Sequence, residues 1–243
     1  MERSTRGTFL SSSTVIMFDT FQRYLFPVQY IQEKKAAISL LEVGPNGPGI
    51  FRCFRSSHIT LTTLDIIAPT EEEKNAYPEI CFTTYNEKKM PFPKNAFEVV
   101  LCIDVLEHIP ENNRETFLRE LLRVSKKTIF LSFPVSTSRI PEKILQTIFL
   151  NKFSFLQEHE SYGLPKLSEI HSFVEQHSDW KVIETRGTIN RWAWIPIKLL
   201  SSIIHRLYKG KEAQKLFQFY GRTLGKVLSF GTSYSYTILL EKK

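Results

Sequence analysis

Residues 38–49, ISLLEVGPNGPG, constrain the chain most, because a short apolar run passes directly into a turn holding three glycines. Ile38, Leu40, Leu41 and Val43 form a run too short for a helix and stopped by glycine, which reads as a buried parallel strand. Gly44, Gly47 and Gly49 then permit positive φ and carry no Cβ to hold the backbone away from a ligand. Ligands of open α/β sheets bind outside the carboxyl ends of strands, where this turn falls. Spacing alone leaves two readings open, a nucleotide-binding loop and an ordinary Gly-Pro turn from strand to helix. The order G-x-x-G-x-G also differs from the G-x-G-x-x-G of a dinucleotide fingerprint.

Residues 1–37 read as a polar start followed by a helix whose Phe18, Phe21, Leu25 and Ile31 pack on the sheet edge, a lid or brace near the ligand mouth. After the glycine turn, the β-branched stretch 58–67 predicts a second strand. It ends on Asp65, 21 residues beyond Gly44. An acid at that distance and at a strand tip is placed to accept hydrogen bonds from ribose hydroxyls, the alternative being an Asp in a strand-end turn. A third strand is expected at 80–84. The near-continuous apolar run 97–103 has the pattern of a central strand covered on both faces. Asp104, Glu107 and His108 follow it; if a helix starts there, their spacing puts them on one face, read as the polarity of a helix start. The same three residues also resemble a metal-assisted enzyme pattern, but the helix-start reading is preferred and no metal site is assigned. Phe117, Leu118, Leu121 and Leu122 form a core stripe with Glu115 and Arg119 paired outside. Further strands are expected at 128–133, near 180–185, and at 234–240.

A chain of 243 residues, 42% hydrophobic, is long enough for one large core, and a single α/β domain is the default. Cys53, Cys81 and Cys102 are widely spaced and suggest neither a disulfide framework nor a zinc site, which fits a reducing compartment. Cys102, in the central strand, should be buried and inert. The N-terminus holds no sustained apolar region of the signal-peptide kind. No segment reaches the roughly 18 uninterrupted apolar residues of a membrane span. These features predict a cytoplasmic protein. The formal net charge of +7 is localised: residues 190–228 hold eight Lys/Arg and one acid, Glu212, while the remainder is balanced.

In order and spacing, LLEVGPNGPG, LTTLDI, MPFPKNAFEVVLCIDVLEHIP and FLRELLRVSKKTIFLSFP resemble the successive signatures of the class I S-adenosylmethionine-dependent methyltransferases, type 11-like, over roughly residues 38–134. The segment LQEHESYGLP and the terminal YSYTILLEKK are similar to a bacterial subgroup associated with surface-polysaccharide or lipid-linked sugar pathways. The resemblance implies an α/β, Rossmann-like fold: a seven-stranded, mostly parallel sheet with helices on both faces, an antiparallel last strand and a helical insertion before it. One methyltransferase domain would span 1–243, with the lid or brace at 1–37, a cofactor-binding core at 38–135, a substrate-side insertion at 136–178 and a basic helical excursion at 190–230. The implied cofactor is S-adenosyl-L-methionine. Glu42, Gly44 and Gly47 would line its methionine end, with Gly49 completing the loop. Asp65 would bind the ribose, Asn86 would face the adenine, and the backbone from Cys102 to Asp104 would border the sulfonium.

An acceptor hydroxyl or amine also needs a positioned base. His108, after the strand tip, and His159, in the insertion, are the candidates, each with an alternative as a capping or solvent-facing residue. The basic excursion joins cations to Trp, Ile and Leu, as an interfacial helix on anionic lipid does. The same charge would suit nucleic-acid phosphates, or merely solvate a helical cap. The expected function is methyl transfer to a small-molecule, lipid-linked or saccharide acceptor, by a cytoplasmic enzyme with or without peripheral membrane contact. A nucleic-acid methyltransferase is favoured only by charge, and a non-catalytic S-adenosylmethionine-binding module is the non-enzyme alternative. The order of glycines disfavours a nicotinamide oxidoreductase.

Overall fold

The computed structural model describes residues 18–86, 89–148, 154–207, 219 and 230–243. The apolar runs become strands β1 (Ile38–Val43), β2 (Ile59–Asp65), β3 (Cys81–Thr84), β4 (Phe97–Ile103), β5 (Ser125–Pro134), β6 (Trp180–Gly187) and β7 (Ser235–Lys242). Around them lie helices α1 (Phe18–Gln32), α2 (Glu71–Ala76), α3 (Glu111–Val124), α4 (Arg139–Ile148), α5 (Ser154–Tyr162), α6 (Leu167–Glu175) and α7 (Trp194–Leu207). The strands form one sheet in the order β3-β2-β1-β4-β5-β7-β6. β7 is antiparallel to both its neighbours, and every other pairing is parallel. The expected fold class is therefore the observed one.

The chain moves outward from β1 to β3 and then crosses back to β4, so the crevice beyond the carboxyl ends of β1 and β4 is the topological switch point. The sheet is sealed on both faces. Leu41, Val100, Cys102, Ile129 and Leu131 point into one core with α3 and α6. Leu40, Leu61, Leu101 and Phe130 point into the other with α1. Burial on both faces is why β1 and β4 read as continuous apolar runs.

Helix α1 differs from expectation in its placement. It lies across a sheet face and not along an edge, with Phe26 and Tyr30 in edge-to-face contact with Phe130 of β5 at 5.3 and 5.2 Å between centroids. Phe21, Tyr24, Phe26 and Ile31 are all buried, more apolar surface than an edge position would cover. The turn after β4 also differs. Leu106–His108 is a single 3-10 turn, and α3 begins only at Glu111. Pro110 disfavours helical geometry at the residue before it, and Ile109 is extended, with φ −102° and ψ 127°. Asp104, Glu107 and His108 therefore do not share a helix face.

The start of the basic excursion is helix α7. The second amphipathic helix expected there, over 215–228, lies outside the described residues except for Phe219. No helix among the described residues is long and apolar enough to cross a membrane.

Phe130 is fully buried and carries the α1 contact, so Phe130→Ala should cost about 3–5 kcal/mol of unfolding free energy in urea denaturation. A loss below about 1 kcal/mol would show that α1 is not seated on this face.

Candidate active site

The loop after β1 is built around Glu42. This side chain is fully buried; its Oε1 accepts the Tyr24 hydroxyl at 2.5 Å and its Oε2 accepts the Ile50 amide at 2.7 Å. Burial raises the Glu42 carboxyl from an ordinary 4.5 to about 7, opposed by those two hydrogen bonds and by Arg52. Burial and the neighbouring Glu42 push the Tyr24 hydroxyl well up as well. Gly44 and Gly49 have φ of 70° and 53°. A Cβ at Gly49 would collide with the Glu42 carboxylate, and one at Gly44 would stand 2.6 Å from Val105 Cγ2. Both positions therefore require glycine for space as well as for backbone conformation.

Asp65 ends β2 as expected. Its Oδ2 accepts the Asn46 amide at 2.7 Å and its Oδ1 the Ile67 amide at 3.1 Å, so the acid is tied to the glycine loop. Between them lies a shallow, open cleft, lined among others by Asn46, Gly47, Asp65, Ile67, Ala68 and Phe82. A carboxylate retains acceptor capacity beyond two bonds. A wall with an acceptor on one side and apolar groups on the other suits a ribose joined to a planar base. Asn86 is exposed beyond β3 and is not among the residues lining the cleft.

At the end of β4, Asp104 has φ 58°, an unusual conformation for a residue other than glycine. Its amide donates to the Ser132 carbonyl at 2.8 Å, and its carboxylate is paired with Arg23 of α1. Cys102 is buried, and burial holds its thiol well up, so it stays an unreactive thiol.

Beyond this turn the two candidate histidines meet. The rings of His108 and His159 lie 5.2 Å apart between centroids. His108 Nδ1 is 2.7 Å from Glu158 Oε2, and His159 Nδ1 is 2.9 Å from Glu142 Oε1. The Tyr234 hydroxyl donates to the same Glu142 oxygen at 2.6 Å, and its ring stacks on Trp194 at 4.1 Å. Burial pushes the Tyr234 hydroxyl up, so it remains a donor. Arg114 of α3 holds the arrangement together. Its guanidinium donates to the carbonyls of Leu106 and Ile109 on one side and of Tyr162 and Gly163 on the other, tying α5 to the turn that carries His108.

Sequence reasoning named the two histidines, Asp65 and the glycine loop as candidates, but not Tyr24, Arg23, Glu142, Tyr234 or Trp194. No spacing signals these residues, because each acts through a partner distant in the chain.

Residues 41–132 match the family model of the methyltransferase domain. That segment is a methyltransferase domain. No curated protein matches the chain. Among solved structures, the chain is similar to the magnesium protoporphyrin IX methyltransferase of Synechocystis PCC 6803 with bound S-adenosylhomocysteine, at 13% identity over 93% of this chain and 83% of that one, TM-score 0.56. It is also similar to an S-adenosylmethionine-dependent methyltransferase of Aquifex aeolicus, at 13% identity over 92% and 93%, TM-score 0.52. A third is a phosphoethanolamine N-methyltransferase of Haemonchus contortus, at 14% identity over 92% of this chain and 53% of that one, TM-score 0.57. The enzyme class and cofactor expected from the sequence agree with the domain and with the folds that it shares.

A carboxyl whose folded pKa lies above its unfolded value binds its proton more tightly in the folded chain. Glu42 should therefore lower stability as pH rises from about 4.5 to about 7 and add no slope above that. The Glu42→Gln variant lacks this titration. Relative to it, the wild type should lose on the order of 3 kcal/mol across the window, read from urea denaturation at several pH values. A difference that stays flat with pH would contradict the burial assigned to Glu42.

Proposed function

We propose that the chain transfers the methyl group of S-adenosyl-L-methionine to an oxygen or nitrogen of a small-molecule or lipid-linked saccharide acceptor held beside His108 and His159. The observation that carries this reading is His159 itself: buried, oriented through Nδ1 by Glu142, with an Nε2 that has no hydrogen-bond partner. That nitrogen is free to take the acceptor's proton, and the nearby ring of His108 offers a second acceptor.

The cofactor supplies an electrophilic methyl group on a sulfonium, so the protein chiefly aligns the nucleophile and excludes water. Asp65 accepts hydrogen bonds from the ribose hydroxyls, and the loop of Gly44, Gly47 and Gly49, shaped by Glu42, cradles the methionine end. The backbone from Cys102 to Asp104 borders the sulfonium, and Asn86 approaches the adenine from beyond β3. In this reading 38–135 holds the cofactor, 136–178 builds the acceptor side, and α1 braces both within one domain. The saccharide class rests on the resemblance of LQEHESYGLP, the segment that supplies Glu158 and His159.

A membrane-peripheral role has its own support. On α4, Ile140, Ile144 and Ile148 recur every fourth residue and are 57, 39 and 57% exposed, beside exposed Arg139 and Lys143. α7 packs against α4 and adds exposed Leu200 and Ile203. An apolar face flanked by cations suits the surface of anionic lipid.

Calorimetric titration should show S-adenosylhomocysteine binding and no NAD binding. Asp65→Ala should weaken that binding about 10–100-fold, as expected for lost hydrogen bonds to a charged group; an unchanged dissociation constant would remove the ribose role. His159→Ala should lower turnover about 10²–10⁴-fold with cofactor affinity kept, and equal turnover would exclude His159. Sedimentation with vesicles should require anionic lipid, weaken with salt and fall in Ile144→Glu; no dependence on lipid charge would leave these helices as a cap.

A further inference from the structure

Glu107, His108 and His159 each offer a ligand atom, and those atoms lie within 4.8 Å of one another. They come from two elements, the turn after β4 and helix α5, and the fold does not consume them. Glu107 and His159 are 2 and 5% exposed, yet Glu107 Oε2 and His159 Nε2 have no hydrogen-bond partner. Buried polar atoms are nearly always paired, so two orphans facing one small space point to something that belongs between them.

The histidines carry a second signature. Each has a carboxylate on Nδ1, Glu158 at 2.7 Å from His108 and Glu142 at 2.9 Å from His159, and Glu142 is itself held by the Tyr234 hydroxyl. A carboxylate at Nδ1 keeps the hydrogen there and presents the lone pair at Nε2, the outer support that metal-ligating imidazoles have. A single general base needs one ring supported in this way. Here two are, beside a third, anionic donor. Asp104, on the same turn, is paired with Arg23, and the buried Arg114 directs its guanidinium to the carbonyls of Leu106, Ile109, Tyr162 and Gly163, so neither cation is hydrogen-bonded to Glu107.

The geometry points to a site for one first-row divalent transition metal of the zinc class, ligated by Glu107, His108 and His159 with a fourth position open. Two imidazoles and a carboxylate favour such an ion over magnesium or calcium, which prefer all-oxygen shells. Three protein ligands and an open position are the composition of a reactive and not a purely structural site. Water, or an oxygen of the acceptor, occupies the open position. With the ion bound, His159 Nε2 is a ligand, and activation of the acceptor passes from the imidazole to the ion.

The inference shares residues with the acceptor site of the proposed function but not its test. Metal binding is read without methyl donor or acceptor, and S-adenosylhomocysteine binding is read without metal, so either reading can fail alone. Tag-free full-length protein, stripped with chelator and dialysed, is titrated calorimetrically with Zn²⁺, and separately with Co²⁺ followed by visible absorption. One Zn²⁺ per chain is expected, with Co²⁺ bands of low coordination number. Glu107→Gln and His108→Gln should each weaken Zn²⁺ at least tenfold while retaining S-adenosylhomocysteine affinity. Glu142→Gln, acting through His159, should weaken it about 10–100-fold. No stoichiometric Zn²⁺ binding by the wild type, or binding undiminished in His108→Gln, overturns the site. The His108 side chain is 31% exposed, so this variant carries the reading even if Glu107→Gln does not fold.

Discussion

A carboxylate buried at the end of β1 sets the terms for much of what surrounds it. Glu42 has no contact with solvent, and a buried carboxyl group is tolerated only with its oxygens hydrogen-bonded. One partner is the Ile50 amide, which brings the loop back under the strand and leaves no room for a Cβ at Gly49. The other is Tyr24, which requires α1 to cross the sheet face and reach the switch point. The residue before it, Arg23, is paired with Asp104 at the end of β4. Two consecutive residues of one helix therefore hold the exits of the two strands between which an open α/β sheet binds its ligand. The shape of the glycine loop and the position of α1 follow from the same carboxyl group.

The side that holds the two histidines is organised differently. The 3-10 turn that follows β4 and the end of helix α5 are brought together by the Arg114 guanidinium, which donates to carbonyls at both. That guanidinium is buried, and desolvation lowers its pKa, with nearby acids opposing the shift. The arrangement places two imidazoles and three carboxyl groups in a small volume, supported by a Tyr–Trp stack whose planes differ by 5°. Polar groups at this density behave as a unit, each orienting the next.

The division between these two halves is also the division between what was legible in the sequence and what was not. β1, β2 and β4 are fixed by local patterns, an apolar run followed by glycine or by an acid, and such patterns depend on neighbours a few residues apart. The positions of the loop glycines and of Asp65 at the tip of β2 were legible for the same reason. The placement of α1 was not, because an amphipathic stripe fits an edge or a face equally well, and only the shape of the facing surface decides. The turn at Leu106–His108 does not continue into the expected helix, because Pro110 disfavours helical geometry at Ile109 and α3 begins only at Glu111. The contacts of Glu142 with His159 and Tyr234 span 17 and 92 residues and leave no periodic trace. His108 and His159 were named separately, and only the fold made them neighbours.

Fold and domain also leave the acceptor undetermined, because one scaffold hosts many chemistries and its function lies in the site. The three solved structures described above share 13 to 14% of its residues, and their names describe a porphyrin in one case and phosphoethanolamine in another. What distinguishes this chain is therefore to be sought in residues 136–178 and in what they meet. Helix α4 is central there, for its two sides have different tasks. Glu142 and Leu145 face inward, the first holding His159 and Tyr234 and the second packing beside Trp194. Ile140, Ile144 and Ile148 face solvent. Glu142, which orients His159, and the three exposed isoleucines are thus carried on opposite sides of one helix. The outer apolar face and the carboxylate that holds His159 and Tyr234 are joined in this protein through the ten residues of α4.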